Sequence, residues 1–167
     1  ALLAAPAAQA GLLFPEADDP LGTLRWTLSA LRRTLGPEAE LRGDPVRLTL
    51  PAGGLVDVRV LAGGSWMEAI ALPGLGHELL DGLAFRSSPG FEMWLESERR
   101  HIAGTTSAVL HQAALALLAR GDTAGATRHA SVLAGLNPYD ENAQVLLVRC
   151  LRAAGRPDAA ARHVEAC

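Results

Sequence analysis

Three arginines on one side of a short stretch carry the most distinctive chemistry in this chain. Leu21 to Leu35 reads LGTLRWTLSALRRTL. At helical spacing Arg25, Ser29, Arg32 and Arg33 fall on one face, with Trp26 beside them. A guanidinium is planar, permanently charged and presents a fork of N–H donors that matches carboxylate and phosphate oxygens. The stretch contains no Asp or Glu. A solvated helix face laced with ion pairs would alternate the two signs. The chemistry available here is capture of an anion rather than making or breaking of bonds.

The element that must hold these groups is a helix. Leu24, Leu28, Leu31 and Leu35 recur at steps of four, three and four, forming an apolar stripe opposite the arginines. Asp19 supplies an N-cap and Pro20 occupies the first helical position, where its missing N–H costs nothing. Gly36-Pro37 ends the helix. Arg32 and Arg33 in the last turn also suit the helix dipole, whereas Arg25 near the start does not.

The next segment reads as short strands. Leu41-Arg42-Gly43-Asp44-Pro45 is a turn cluster, and Val46 to Leu50 alternates apolar and polar residues with period two, as a half-buried strand does. Pro51 to Gly54 turns the chain, and Val56 to Val60 alternates again. A helix followed by a β-hairpin is the pattern of a winged helix, whose helix enters the DNA major groove while the hairpin touches the backbone. Gln9 to Phe14 supplies a further helical turn or two against the leucine stripe. Trp26 either flanks the core or meets a sugar–phosphate edge, and the core reading is favoured.

Composition bounds the rest. The chain has 167 residues, nearly half of them apolar, and a net charge of −3. That accommodates one domain or two small ones. No apolar run approaches the roughly 20 residues that span a bilayer, and alanine-rich Ala1 to Ala10 lacks the basic region of a signal peptide. All fifteen basic residues are arginine, so arginine is the default cation here. Cys150 sits in an apolar helical pattern and reads as a small core residue. Together with Cys167 it makes no disulfide framework, which fits a reducing cytoplasm.

Ala62 to Gly90 is rich in Gly and Pro and reads as a linker with short helices, with Trp66 and Met67 anchoring one of them. From Phe91 the chain turns helical. Segments are expected at Phe91–His101, Ser107–Leu118, Thr123–Leu136, Asp140–Ala154 and from Asp158 onward. Gly121 and Gly155 lie 34 residues apart, and at the same offset Leu117 matches Leu151, Ala126 matches Ala160, Arg128 matches Arg162 and His129 matches His163. Helix-turn-helix units at this period are the tetratricopeptide spacing.

Taken together, LLFPEADDPLGTLRWTLSALRRTLG, GDPVRLTLP and VDVRVL resemble the DNA-binding part of bacterial regulators of the antibiotic regulatory protein (SARP) type. FEMWLESERRHI and the stretch from LLARGDTAGATRHA to LVRCLRAAGRPDAAARHVEA resemble the bacterial transcriptional activator domain that such regulators carry. The resemblance implies a mainly α protein. A reduced winged-helix unit over residues 1–61 is followed by a linker over 62–90 and a tetratricopeptide-like module over 91–167. It implies double-stranded DNA as a partner, contacted by Arg25, Trp26, Ser29, Arg32 and Arg33, with Arg42 and Arg47 on or near the wing. It further implies that the helical module contacts a second copy or the transcription machinery. The family's winged helix usually begins with several strands and a first helix, which by this resemblance are expected to be missing here or reduced to Ala1–Ala8. The rival reading is an interaction module that does not bind DNA.

Other signals are weak. His77-Glu78-Leu79-Leu80-Asp81 lacks the second histidine of a zinc-binding helix, and Gly74-Leu75-Gly76 lacks the strand that precedes a dinucleotide loop. Glu96, Glu98, Arg99 and Arg100 read as a solvated face. No nucleophile, base and orienting group assemble from neighbouring motifs. No metal, cofactor, membrane partner or enzymatic activity is expected.

Overall fold

The computed structural model describes residues 6–43, 46–83, 85 and 88–166. Asp44 and Pro45 of the turn cluster, Ala1 to Ala5, and Cys167 lie outside the described residues. The protein is mainly α, with eight helices and one two-stranded sheet among the described residues. The elements are α1 (Pro6–Leu13), α2 (Pro20–Leu35), β1 (Glu40–Arg42), β2 (Arg47–Thr49), α3 (Asp57–Gly63), α4 (Trp66–Ala69), α5 (Pro89–Ala119), α6 (Thr123–Leu136), α7 (Glu141–Ala153) and α8 (Pro157–Ala166). They form two compact units, Ala1–Leu55 with Leu80–Glu98, and Val56–Leu79 with Arg99–Cys167.

The first unit has a thin core. Ala10, Leu24, Leu41 and Leu95 are its buried apolar residues among those described. α1 packs on α2, and Ser88 clips the end of α1 to the start of α5 by donating its hydroxyl to the Leu13 carbonyl at 2.8 Å. Phe85 and Phe91 meet edge to face at 4.7 Å, and Trp94 lies 5.1 Å beyond Phe91. The leucine stripe of α2 is only partly used. Leu24 is buried and Leu28 and Leu35 are half-buried, but Leu31 is 41% exposed. At 1.5 Å per residue the eight residues of α1 are half as long as α2 and leave part of the stripe uncovered.

The hairpin differs from the sequence expectation. Leu41 and Arg42, expected in a turn, form β1, which pairs antiparallel with β2 in the register Glu40 with Thr49, Leu41 with Leu48 and Arg42 with Arg47. Leu41 is drawn into the core, and its strand follows. Val46 to Leu50, expected as a half-buried strand, forms β2 only over Arg47–Thr49, and all three of those residues are exposed. Val56 to Val60 is expected as the second strand, but Asp57 to Val60 are helical and Val56 is the extended N-cap that precedes them. The N–H groups of Arg59 and Val60 both bond to the Val56 carbonyl, and Asp57 places its carboxylate on the Val58 N–H in the first turn, where a negative charge suits the dipole. The same residues also carry a helical pattern that buries Leu61.

The second unit holds the main core, built from Leu110 and Ala114 of α5, Ala126, Ala130 and Leu133 of α6, Leu146, Leu147, Cys150 and Leu151 of α7, and Ala160 of α8. The alanines let helix axes approach closely. Burial pushes the Cys150 thiol up from its ordinary value, as expected of an inert core thiol. The segments expected at 91–101 and 107–118 are one helix. The β-branched run Thr105-Thr106 does not break it, because the Thr105 hydroxyl bonds back to the His101 carbonyl at 3.0 Å and Thr106 is buried. By length and composition α5 is also apolar enough to cross a membrane, which corrects the expectation that no such run exists. Leu110, Ala113 and Ala114 spend part of that apolar surface in the interior of the second unit.

α4 opens with a capping box between Ser65 and Glu68. Trp66 is held by the Arg120 guanidinium, 5.3 Å above its ring. Ala69, not Met67, is the buried anchor, and Met67 is 52% exposed. Arg99 fixes the following loop, pairing with Glu78 at 2.6 Å and donating to the Leu79 carbonyl.

The 34-residue offset is written into the backbone. Asp122 N–H reaches the Leu117 carbonyl and Gly121 N–H the Leu118 carbonyl, while Arg156 and Gly155 repeat both bonds to Leu151 and Arg152. Each glycine sits at positive φ, +80° and +70°. This is the Schellman ending, which needs a left-handed residue. Nothing lies within 4 Å of a Cβ added at either site, so Gly121→Ala and Gly155→Ala meet only the backbone penalty. Each is expected to cost about 1 kcal/mol, and the two to add, in urea unfolding.

His129 on α6 titrates below its ordinary value, because burial and the Arg128 guanidinium disfavour its charged form while Asp122 pulls weakly the other way. The unfolded chain then binds a proton that the folded chain does not, so stability falls as the pH drops below about 6.5 and is restored above it. His129→Gln is expected to flatten that part of the stability–pH curve, measured by denaturation between pH 5 and 7.5.

Candidate nucleic-acid interface

The ends of α2 are set by the residues the sequence nominated. Asp19 accepts the Gly22 N–H at 2.9 Å, Pro20 opens the helix, and Gly36 at φ +79° closes it. Arg25, Trp26, Ser29, Arg32 and Arg33 are all exposed, as are Arg42 and Arg47 on the hairpin. Trp26 is 70% exposed. The favoured core reading of this residue is therefore corrected, since α1 leaves that side of α2 uncovered.

The guanidiniums divide into two groups. Arg32 turns one edge inward, and its Nε donates to the Leu41 carbonyl at 2.7 Å. Arg42 pairs with Glu40 at 3.4 Å, and both side chains are more than half exposed, so the pair is worth little. Arg25, Arg33 and Arg47 form no ion pair among the described residues.

The hairpin register adds something periodicity did not show. Arg42 and Arg47 are directly opposed across the two strands, an arrangement that like charges make unfavourable. An anion between or above them would relieve it. Acidic residues outnumber arginines in the first unit as a whole, with Glu16, Asp18 and Asp19 just ahead of α2. The cationic face is thus local, spread along α2 and onto the hairpin, while carboxylates gather at the start of the helix.

The histidines serve other ends. His163 Nε2 lies 2.7 Å from Gln144 Oε1. Gln144 Nε2 in turn donates to the carbonyls of Ala134, Asn137 and Pro138. This locks the turn between α6 and α7, on which Tyr139 is fully exposed. Sequence reasoning passed over Gln144, whose only signal is its place just inside α7. Glu78 of the weak metal motif spends its carboxylate on Arg99.

Comparison with known proteins adds one finding. Neither a curated protein nor a solved structure matches the chain significantly. The family described as bacterial transcriptional activator domain matches residues 57–166. The match opens on the first residue of α3 and runs to the last residue of α8. It covers well over half of the sequence, and the chain belongs to the bacterial transcriptional activator domain family.

Proposed function

We propose that this chain is a cytoplasmic bacterial transcriptional regulator of the antibiotic regulatory protein type, acting by binding rather than by catalysis. In this reading α2 and the β1–β2 hairpin form the helix and wing of a winged-helix unit. The arginine face of α2 enters the major groove of duplex DNA, with Arg25, Trp26, Ser29 and Arg33 toward bases and phosphates and Arg42 and Arg47 on the wing. Guanidiniums suit both targets, because they bind guanine O6 and N7 or a phosphate with two parallel bonds. The helices from α5 to α8 form a tetratricopeptide-like module that contacts a second copy or the transcription machinery. The repeated helix endings at Gly121 and Gly155 support that part.

The observation that carries the DNA reading is the absence of ion pairs at Arg25, Arg33 and Arg47 among the described residues. The test is fluorescence anisotropy on a GC-rich duplex between 50 and 200 mM salt. Three phosphate contacts give a slope of log affinity against log salt of about −2.7. Absent or salt-independent binding removes the reading. A second reading, an interaction module without DNA binding, is favoured by one fact: the family match begins after α2 and the hairpin.

A further inference from the structure

We infer that Arg32 is not a DNA contact but a positioning residue, the tether that fixes the hairpin against α2. This rests on the DNA-binding reading above. Arg32 lies on the cationic face by sequence, and its spacing gives no reason to set it apart from Arg25 and Arg33. The structure sets it apart. Its Nε–H is consumed by the Leu41 carbonyl at 2.7 Å. The edge of the guanidinium that would pair side-on with a phosphate is therefore turned into the protein.

The hairpin needs such a tether. Its strands are three residues long, and a two-stranded sheet of that size is marginal in water. It carries the opposed cations Arg42 and Arg47. Of its two apolar side chains, Leu41 is buried, but Leu48 is 38% exposed and contributes little burial. α2 packs on β1, and β2 is carried by its ladder to β1. The Arg32 bond to the middle residue of β1, together with the burial of Leu41, thus sets where Arg47 stands relative to Arg25 and Arg33. The cationic surface then has two kinds of arginine: those that meet the ligand and one that holds the surface in register.

The test compares Arg32→Ala with Arg32→Gln in the full chain. Glutamine ends in an N–H donor the same number of bonds from the backbone as Arg32 Nε, but without charge. If Arg32 is a tether, Arg32→Ala speeds amide exchange of the hairpin at residues 40–42 and 47–49 by about tenfold or more while α6 and α7 remain protected. It also lowers duplex affinity by about tenfold, the loss of roughly one phosphate contact at 0.1 M salt. Arg32→Gln restores both to within about twofold of the wild type, a shift too small to count as the loss of a phosphate contact. Equal loss of affinity in the two variants means that the charge itself meets DNA and overturns the proposal. So does unchanged hairpin exchange in Arg32→Ala. A wild-type chain that binds no duplex defeats the proposed function instead, and the exchange arm, run without DNA, then decides the tether alone.

Discussion

Leu110→Ala is expected to lower the unfolding free energy by about 3 kcal/mol, within the range for truncating a fully buried leucine. Leu110 is 1% exposed and, with Cys150, the largest fully enclosed side chain among the described residues. Its core cluster includes Ala114, Ala126 and Ala130, each completely buried. Alanine side chains cannot swing into a vacated space, and helices already packed at alanine distance have little room to move closer, so the cavity persists and its cost adds to the lost transfer energy. A protein of this kind has a total stability of about 5–15 kcal/mol, so the change removes a large share of it. The measurement is the midpoint and slope of urea unfolding followed by far-UV circular dichroism. An unchanged slope with a lowered midpoint identifies a loss of packing rather than a change in the unfolded chain. Leu110→Met, which conserves volume, is expected to cost less than about 1.5 kcal/mol. A cost below about 1 kcal/mol for Leu110→Ala would mean that this side chain is not enclosed as described.

Local signals carried the helix ends. Asp19 with Pro20 caps α2 as read from the sequence, and the structure adds Asp122, which accepts the Gly125 N–H, and Asp140, which accepts the Asn142 N–H, as caps of α6 and α7. Gly121 and Gly155 end their helices because a left-handed position favours glycine, and their equivalence follows from the 34-residue offset. Period alone failed at Val56 to Val60. Alternating valines over five residues satisfy a strand, yet the same spacing places Leu61 on a buried helical face, and five residues are too few for either period to win. Gly104, Thr105 and Thr106 lie between the segments expected at 91–101 and 107–118, yet α5 runs through them, because a helical glycine with open space around it is tolerated and a threonine can bond back along its own helix. The candidate surface was legible in residue type and incomplete in role. The arginines on α2 and the hairpin were visible as a group. That Arg32 spends its Nε on Leu41, and that Arg42 faces Arg47, depends on strand register and on contact between separate elements. Neither has a signal in spacing along the chain.

The triple substitution Arg25→Ala, Arg33→Ala and Arg47→Ala is expected to weaken duplex binding by about 500-fold at 0.1 M salt and to reduce the salt slope by about 2.7. Each phosphate contact releases about 0.9 of a counterion, so relative to 1 M salt each is worth roughly eightfold at 0.1 M, and three multiply. All three side chains are exposed and without ion pairs among the described residues. Their removal breaks no internal bond that the structure shows, and the change in folding stability should stay within about 0.5 kcal/mol per site. That separates loss of binding from loss of fold, which thermal unfolding of the same sample checks. The matching triple change to lysine keeps the charges and should keep most of the salt slope. It loses the paired bonds that a guanidinium makes to one base edge, so discrimination between sequences should fall by about 1–3 kcal/mol for each such contact. Lysine variants that bind all duplexes alike, beside alanine variants that bind none well, would assign phosphate attraction and base reading to the same three side chains. Alanine variants that bind as the wild type does would instead remove α2 and the hairpin from any role in DNA binding.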